Sequence, residues 1–332
     1  MHLTYRNVNH AFVDLINRVK ESDPKIQSSR NGDVLRVYDE PVIVTYLHPT
    51  ERVLFNEFRD CNPFFHLYES IWMLAGKNKV DNLLIYNPRM GTYSDDGITL
   101  HGAYGYRWRN YFKCDQLEEV ILELTESPDS RRAVVQMWDA KDLSVARGGG
   151  LDVPCNTQMV FEIQNDKLNM TVFNRSNDLI WGMLGANAVH FSYVQQYVAN
   201  ALNRKVGVYN QISNNLHIYK EIWDKYKGLS NLDLTQEEIE VMGTKTPELF
   251  NSDLRFTFDK EVKRLVEDGD AYCNNLFLRT VASPMILAWR HHKERQYDKA
   301  LESVKRVNDE SWKFVAKRWL EKRRNNYLAK RG

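Results

Sequence analysis

A run of three glycines, Gly148-Gly149-Gly150, leads into "LDVPCNTQ" (151–158), which sets Cys155 directly behind a proline. Cysteine is often buried for packing alone, so its neighbours must decide its role. "TQMVFEI" and "KLNMTVF" flank "QND", an alternating apolar pattern around turn residues that predicts a hairpin. Its return strand brings "NRSND" (174–178) back beside the thiol. Arg175, twenty residues downstream of Cys155, then puts a guanidinium next to sulfur and favours its thiolate. With Ser176 it also offers a planar fork and a hydroxyl to a phosphate. One local structure would activate a nucleophile and anchor an anion.

Other residues invite similar scrutiny. "SRR" supplies Arg131 and Arg132 at the expected start of the strand "RRAVVQMWD", either as exposed surface charges or as further hands on a dianion. Arg30, in the loop "SSRNGD", would make a fourth arginine. With no Walker loop and no Rossmann glycine fingerprint, a phosphate here is gripped by side chains. Glu69 lies between Tyr68 and Ile71-Trp72 in an apolar helix, where an ionised carboxyl is costly without partners. It is either a structural, hydrogen-bonded Glu or a proton handler. Asn187 opens a helix, so it either caps it or offers a base edge its paired donor and acceptor. His217 and Tyr219 in "SNNLHIY" point the same way on a strand, as polar core residues or as partners of a sugar hydroxyl.

The elements that must position these groups read as follows. Residues 8–21 form an amphipathic opening helix, and "VLRVYDEPVIVTYL" is strand-like. "NPFFHLYESIWMLAG" (62–76) is a buried helix with Pro near its start and Gly at its end, and "QLEEVILELTESPDS" (116–130) is a helix with its stop. "NAVHFSYVQQYVANAL" (187–202) is a mostly buried helix. Beyond about residue 228 the chain turns helical and charged, with Trp312, Val315, Ala316 and Trp319 on one helical face. This gives a catalytic unit over 1–228 and a helical C-terminal extension over 229–332 packed on it.

Composition narrows the partners. Forty-five Lys and Arg balance 44 Asp and Glu, so no global charge draws the chain to nucleic acid or a membrane. The tail carries eight Lys or Arg after Trp312 against one Glu, which reads as a solvated face on a docked helix before it reads as a nucleic-acid surface. No signal architecture opens the chain, and no apolar run approaches the roughly 18 residues of a spanning helix. A soluble, cytoplasmic protein is expected. Cys61, Cys114, Cys155 and Cys273 lie 53, 41 and 118 residues apart, neither a zinc spacing nor a disulfide framework, so reduced thiols and no metal are expected.

At these residues the chain resembles the thymidylate synthase and pyrimidine nucleotide hydroxymethylase superfamily. The similar stretches are "ESIWMLAG", "GAYGYRW", "SPDSRRAVVQMW", "VPCNTQ", "NRSNDLIWG" and "SNNLHIY", in the family's order across about residues 62–225. The resemblance implies an α+β fold with a central mixed sheet and an obligate homodimer whose two sites draw on both subunits. It implies Cys155 as nucleophile, Arg175 and Ser176 on the nucleotide phosphate, and Arg131 and Arg132 reaching that phosphate from the partner; Arg30 matches loosely. His217 and Tyr219 would bind the sugar 3′-hydroxyl, and Asp178 and Trp72 the folate. Glu69 and Tyr104 would serve the proton-transfer water network. The co-substrate implied is 5,10-methylenetetrahydrofolate.

The chemistry follows from the weakness of pyrimidine C5 as a nucleophile. Addition of Cys155 to C6 makes C5 enolate-like, able to take a one-carbon unit and become an exocyclic methylene. Hydride then gives a methyl group, as in a synthase; water gives a hydroxymethyl group. Water exclusion therefore selects the product. Three departures lean toward water: Asn156 where synthases usually carry His, a long helical extension ending "AKRG" in place of a short apolar closing segment, and "WGMLGAN" in place of a Leu-Pro-Phe-Asn turn. Counted from His217, Asn187 falls where synthases keep the uracil-pairing asparagine; counted from Arg175, Ala186 does. A dUMP hydroxymethylase is expected, with dCMP as the other base, a thymidylate synthase as the alternative activity, and a silent nucleotide-binding homologue as the alternative class. If the source is viral, the site of action is the host cytoplasm.

Overall fold

The structure, a computed structural model, describes residues 1–22, 24–29, 32–229, 232–269 and 272–330. Arg30 lies outside the described residues.

Ten strands run in chain order: β1 (His2–Tyr5), β2 (Lys25–Ser29), β3 (Gly32–Arg36), β4 (Val42–Tyr46), β5 (Val134–Gln136), β6 (Asn156–Gln164), β7 (Lys167–Asn174), β8 (Asn177–Asp178), β9 (Lys205–Ser213) and β10 (Leu216–Tyr219). The larger sheet has the order β1-β4-β9-β7-β6-β5 and the smaller β2-β3-β10-β8. The first is mixed, with β1 parallel to β4 and β7 parallel to β9 among antiparallel neighbours. With helices packed around both, the fold is α+β.

The expected hairpin forms. Asn165 and Asp166 both take positive φ, 50° and 63°, the conformation a two-residue turn needs to match strand twist. The parallel step from β7 to β9 requires a crossover, and the Asn187–Ala201 helix supplies it, buried from Asn187 through Ala199. The β7/β9 ladder slips between Leu168 and Met170. Gln195 on that helix donates to the carbonyls of Leu168 at 2.8 Å and Val208 at 3.0 Å, satisfying groups the slip would orphan.

Both β7 and β9 leave the large sheet at one level, Asn174 opposite Ser213, and pair again in the small sheet as β8 and β10, Asn177 opposite Leu216. The sheets part at Arg175-Ser176. That split gathers the candidate residues.

Two expectations change. "VLRVYDEPVIVTYL" divides at Pro41 into β3 and β4, which belong to different sheets. The strand expected to open on Arg131 and Arg132 is only Val134–Gln136, because Met137 and Trp138 both donate to the Thr157 carbonyl and end the ladder. The two arginines precede it in a loop.

The Pro63–Leu74 helix is buried along its whole length, capped by the Asn62 side chain with Pro63 in its first turn. Gly105 lets the Tyr104–Tyr106 turn approach its end, since a Cβ there would strike the Met73 backbone. The C-terminal helices cover the outside of this helix and of Asn187–Ala201. Trp312 donates to the Tyr193 hydroxyl at 2.9 Å, Phe314 meets Phe55 edge-on, and Trp319 meets Phe64. Arg109 forks onto Asp259 at 3.1 and 3.0 Å, tying the extension inward. The basic tail is largely spent on ion pairs: Arg323 with Asp60 at 2.6 Å and Arg318 with Glu238 at 2.8 Å. No helix of the described residues is long and apolar enough to cross a membrane.

Candidate active site

Cys155 stands at the entry to β6, and Arg175 is bound to the loop that carries it. The Arg175 backbone N–H donates to the Cys155 carbonyl at 2.9 Å, its Nε to Pro154 O at 2.9 Å and its Nη2 to Val153 O at 3.1 Å. Nη2 lies 3.9 Å from Sγ. The guanidinium pulls toward the thiolate as expected, but burial outweighs it and raises the thiol above its ordinary value, with Asp152 and Asp178 adding to the rise. The unliganded nucleophile is therefore a protonated thiol.

The small-sheet residues stand beside it. Ser176 Oγ is 3.5 Å from His217 Nδ1, and the His217 and Tyr219 rings meet at right angles 5.7 Å apart. Burial lowers the imidazole below its ordinary value, so it presents a neutral ring. Asp178 pairs with His217 across the β8/β10 ladder. Its Oδ1 accepts from the Trp181 N–H at 2.5 Å, and Oδ2 is buried where, among the described residues, no donor meets it at hydrogen-bond geometry. Burial pushes this carboxyl up to about 6, against the Trp181 N–H and the Arg59 charge.

Glu69 faces the Asn187–Ala201 helix, where its Oε2 lies 3.1 Å from Nε2 of His190, off the angle of a hydrogen bond. Both side chains are enclosed, at 9% and 2% exposure, so the carboxyl has the partner its burial demanded. Tyr104 stacks on Phe191 at 5.9 Å, and its hydroxyl reaches the Cys155 backbone. Burial, then the nearby Cys155 and Asp152, hold that hydroxyl well above its ordinary value.

Asn187 does not cap a helix. Its φ and ψ are helical, −66° and −38°, because Leu179–Ala186 already forms a helical segment of wider turn leading into it. Its Nδ2 instead donates to Asn177 Oδ1 at 3.0 Å, and Asn177 Nδ2 donates in turn to Gln211 at 2.7 Å and Ser213 at 3.0 Å. A Cβ on Gly182 would collide with this amide chain.

Some candidates stand elsewhere. Trp72, on the same helix as Glu69, is enclosed in the core at 2% exposure and offers no face to a folate. Arg131 and Arg132 are exposed, and Arg132 is held by Glu123 at 2.8 Å. The β5/β6 register pairs Val134 with Val160, five residues along β6 from Cys155, and the two arginines precede that end of β5. At ~3.4 Å per residue the start of β5 is already roughly 17 Å from the level of the Cys155 of its own chain.

Three neighbours were missed. His190 is half signalled by the demand of Glu69 for a partner. Arg59, whose guanidinium lies 4.0 Å over the Trp181 ring and donates to Ile180 O at 3.2 Å, has no local signal. Asp152 accepts from the Gly102 N–H at 2.7 Å through Oδ2. No group of three or more His, Cys, Asp or Glu among the described residues is placed to hold a metal ion.

Cys155 thus stands at the sheet split with Arg175 and Ser176 beside it, and a buried carboxyl–imidazole pair lies on the two packed helices. The chain belongs to the thymidylate synthase family, whose model matches residues 10–252. It is 41% identical to the deoxyuridylate hydroxymethyltransferase of Pseudomonas phage M6 over 342 aligned positions, covering 98% of this chain and 95% of that one. It is 38% identical to the deoxyuridylate hydroxymethyltransferase of Bacillus phage SP01 over 57% of this chain and 54% of the relative. The thymidylate synthase of Mycoplasma genitalium is 30% identical over 38% of this chain and 42% of its own. Among solved structures, thymidylate synthase from T4 phage superposes with a TM-score of 0.56 at 21% identity, over 77% of this chain and 91% of that one, and so shares the fold.

Proposed function

We infer that the chain is a one-carbon transferase that hydroxymethylates C5 of dUMP through a covalent Cys155 adduct. The observation that carries this reading is the end-to-end similarity to the Pseudomonas phage M6 deoxyuridylate hydroxymethyltransferase, together with the placement of Cys155 against Arg175.

Arg175 and Ser176 take the phosphate, and His217 with Tyr219 the sugar hydroxyl. Asn187 favours uracil. Its Nδ2 is committed to Asn177, whose own amide nitrogen has two acceptors, so Asn187 turns Oδ1 outward. Uracil meets that oxygen with N3–H, while cytosine carries no hydrogen there. Asp178 Oδ2, which no donor among the described residues meets at hydrogen-bond geometry, lies near the 40%-exposed indole of Trp181 and fits the flat, N–H-bearing ring of a pterin. Bound 5,10-methylenetetrahydrofolate would supply the one-carbon unit and leave as tetrahydrofolate when the exocyclic methylene forms. The Cys155 proton passes to solvent water as the sulfur adds to C6, and the electron pair moves to C5 and the C4 oxygen. Glu69, steadied by His190, stabilises charge developing on the ring through water. Tyr104 lies where the C5 proton leaves. Water then attacks the exocyclic methylene and Cys155 departs.

The reading includes a homodimer with Arg131 and Arg132 serving the partner's phosphate. Their distance from their own Cys155 supports it. So does the half-exposed face of the large sheet, where Val160, Thr171, Phe173, Val208 and Ile212 alternate with buried residues. Mixing Cys155→Ala subunits with Arg131→Ala/Arg132→Ala subunits tests it: restored turnover is expected, because one site of each mixed dimer is intact, and no restoration would place the arginines elsewhere. The reaction itself is tested by tritium release from C5-tritiated dUMP and dCMP. Release from dUMP is expected, and release from dCMP alone would overturn the base assignment. The phage origin of the relatives supports action in a host cytoplasm on the pyrimidine supply for DNA.

A further inference from the structure

Hydroxymethyl release needs a group that accepts a proton from the attacking water, and none of the roles above supplies one. Glu69 is given over to charge developing on the ring, Cys155 must leave, and burial holds the Tyr104 hydroxyl well above its ordinary value.

Asp152 stands three residues before Cys155, and its carboxylate is clamped at one end. The Gly102 N–H donates to Oδ2 at 2.7 Å. A Cβ on Gly102 would lie 3.0 Å from Oδ1 and 3.2 Å from the Asp152 carbonyl oxygen, so the seat depends on a glycine. Oδ1 has no protein donor among the described residues, and it is not sealed in the core. The charge of Asp152 is felt by both the Cys155 thiol and the Tyr104 hydroxyl. With Oδ2 clamped on Gly102, Oδ1 is the carboxylate oxygen left to act, three residues before the nucleophile. Burial raises this carboxyl above its ordinary range, against the Gly102 N–H and the charges of His101 and Arg107 and together with Asp95, which makes its ionised form a better proton acceptor.

We propose that Asp152 is the general base for the water that attacks the exocyclic methylene, and thereby the residue that commits the intermediate to a hydroxymethyl product; this rests on the hydroxymethyltransferase reading above. As the water oxygen bonds to the exocyclic carbon, its O–H bond breaks and the proton passes to Oδ1. The exocyclic double-bond pair moves onto C5 and the C4 oxygen. It returns as the C5–C6 double bond while the C6–S bond breaks and Cys155 leaves as thiolate. No oxidant or reductant is consumed.

The test is a single turnover of Asp152→Asn with C5-tritiated dUMP and methylenetetrahydrofolate. The amide oxygen still accepts from Gly102, so the latch survives. Tritium release reports formation of the exocyclic methylene, and product reports the attack of water. The ratio of product to released tritium is expected to fall at least ~10-fold, within the ~100-fold or more that a general base contributes, with a Cys155-linked nucleotide accumulating by intact-protein mass. In Asp152→Ala, added formate is expected to recover the product step and leave the rate of tritium release where it was. An unchanged ratio in Asp152→Asn, or equal slowing of both signals, would overturn the role of Asp152. Release of a methylated nucleotide by the unmodified enzyme is a separate result and would overturn the parent reading.

Discussion

The site has two halves that are built differently. The strand-borne half, Cys155, Arg175, Ser176, Asp178 and His217, sits where two strands pass between sheets beside the entry to β6, with Arg175 exposed and the others partly buried. The helix-borne half, Glu69, His190 and Asn187, is enclosed between two packed helices and wired through amides. The contrast teaches a division of labour. An exposed arginine at a ladder end can meet a charged ligand at little desolvation cost, whereas enclosed groups act where water is scarce and electrostatic effects are strong. Changes in the first half, the nucleophile apart, should register in binding, and changes in the second in turnover.

The largest effect belongs to the nucleophile that joins both halves. Cys155→Ala is expected to reduce tritium release from dUMP by about 10⁴-fold or more with nucleotide affinity nearly kept, by calorimetry; substantial residual release would break the covalent account. Glu69→Gln comes next, with kcat down about 100- to 1,000-fold and KM for dUMP within a few fold. If KM moved instead, the enclosed half would be a binding element and the contrast would fail.

Arg175→Lys keeps the charge but loses the fork. Because the wild-type guanidinium also holds the Pro154 and Val153 carbonyls, KM for dUMP is expected to rise about tenfold in steady-state kinetics, with a smaller fall in kcat. The smallest effect is on stability. Burial pushes Asp178 up to about 6, above an unfolded value near 4. Across that window the native state keeps a proton the unfolded chain has released, so stability falls as pH rises from about 4 to about 6 and the cost persists above. Asp178→Asn is expected to raise stability by on the order of 1 kcal/mol at pH ~8, the gain vanishing below pH ~4, in denaturant melts at both pH values. A gain at low pH and none at high would reverse the sign and contradict the burial argument.

The strand-borne half was the legible one. Period-two alternation and the Asn165-Asp166 turn fix the hairpin, and the hairpin alone brings Arg175 back to Cys155. What alternation could not reveal was enclosure: the charge of Arg175 is visible in the sequence, but the burial that outweighs it at the thiol is not. The helix-borne half depends on a contact between distant segments, Glu69 with His190, that no local pattern encodes, as does the neighbouring contact of Arg59 with Ile180. Asn187 misled for a related reason, since a wide helical turn runs into it and removes the free end a cap would serve. In the extension the shared face of Trp312, Val315 and Ala316 was readable, whereas its seat against Tyr193 and Phe55 was not.

The account turns on water, and not hydride, completing the reaction on the thioether-bound ring. Incubation with dUMP and methylenetetrahydrofolate in isotopically heavy-oxygen water, followed by mass spectrometry of the nucleotide, tests this directly. The predicted result is 5-hydroxymethyl-dUMP carrying the heavy oxygen, with tetrahydrofolate released; a methylated nucleotide with dihydrofolate would contradict it.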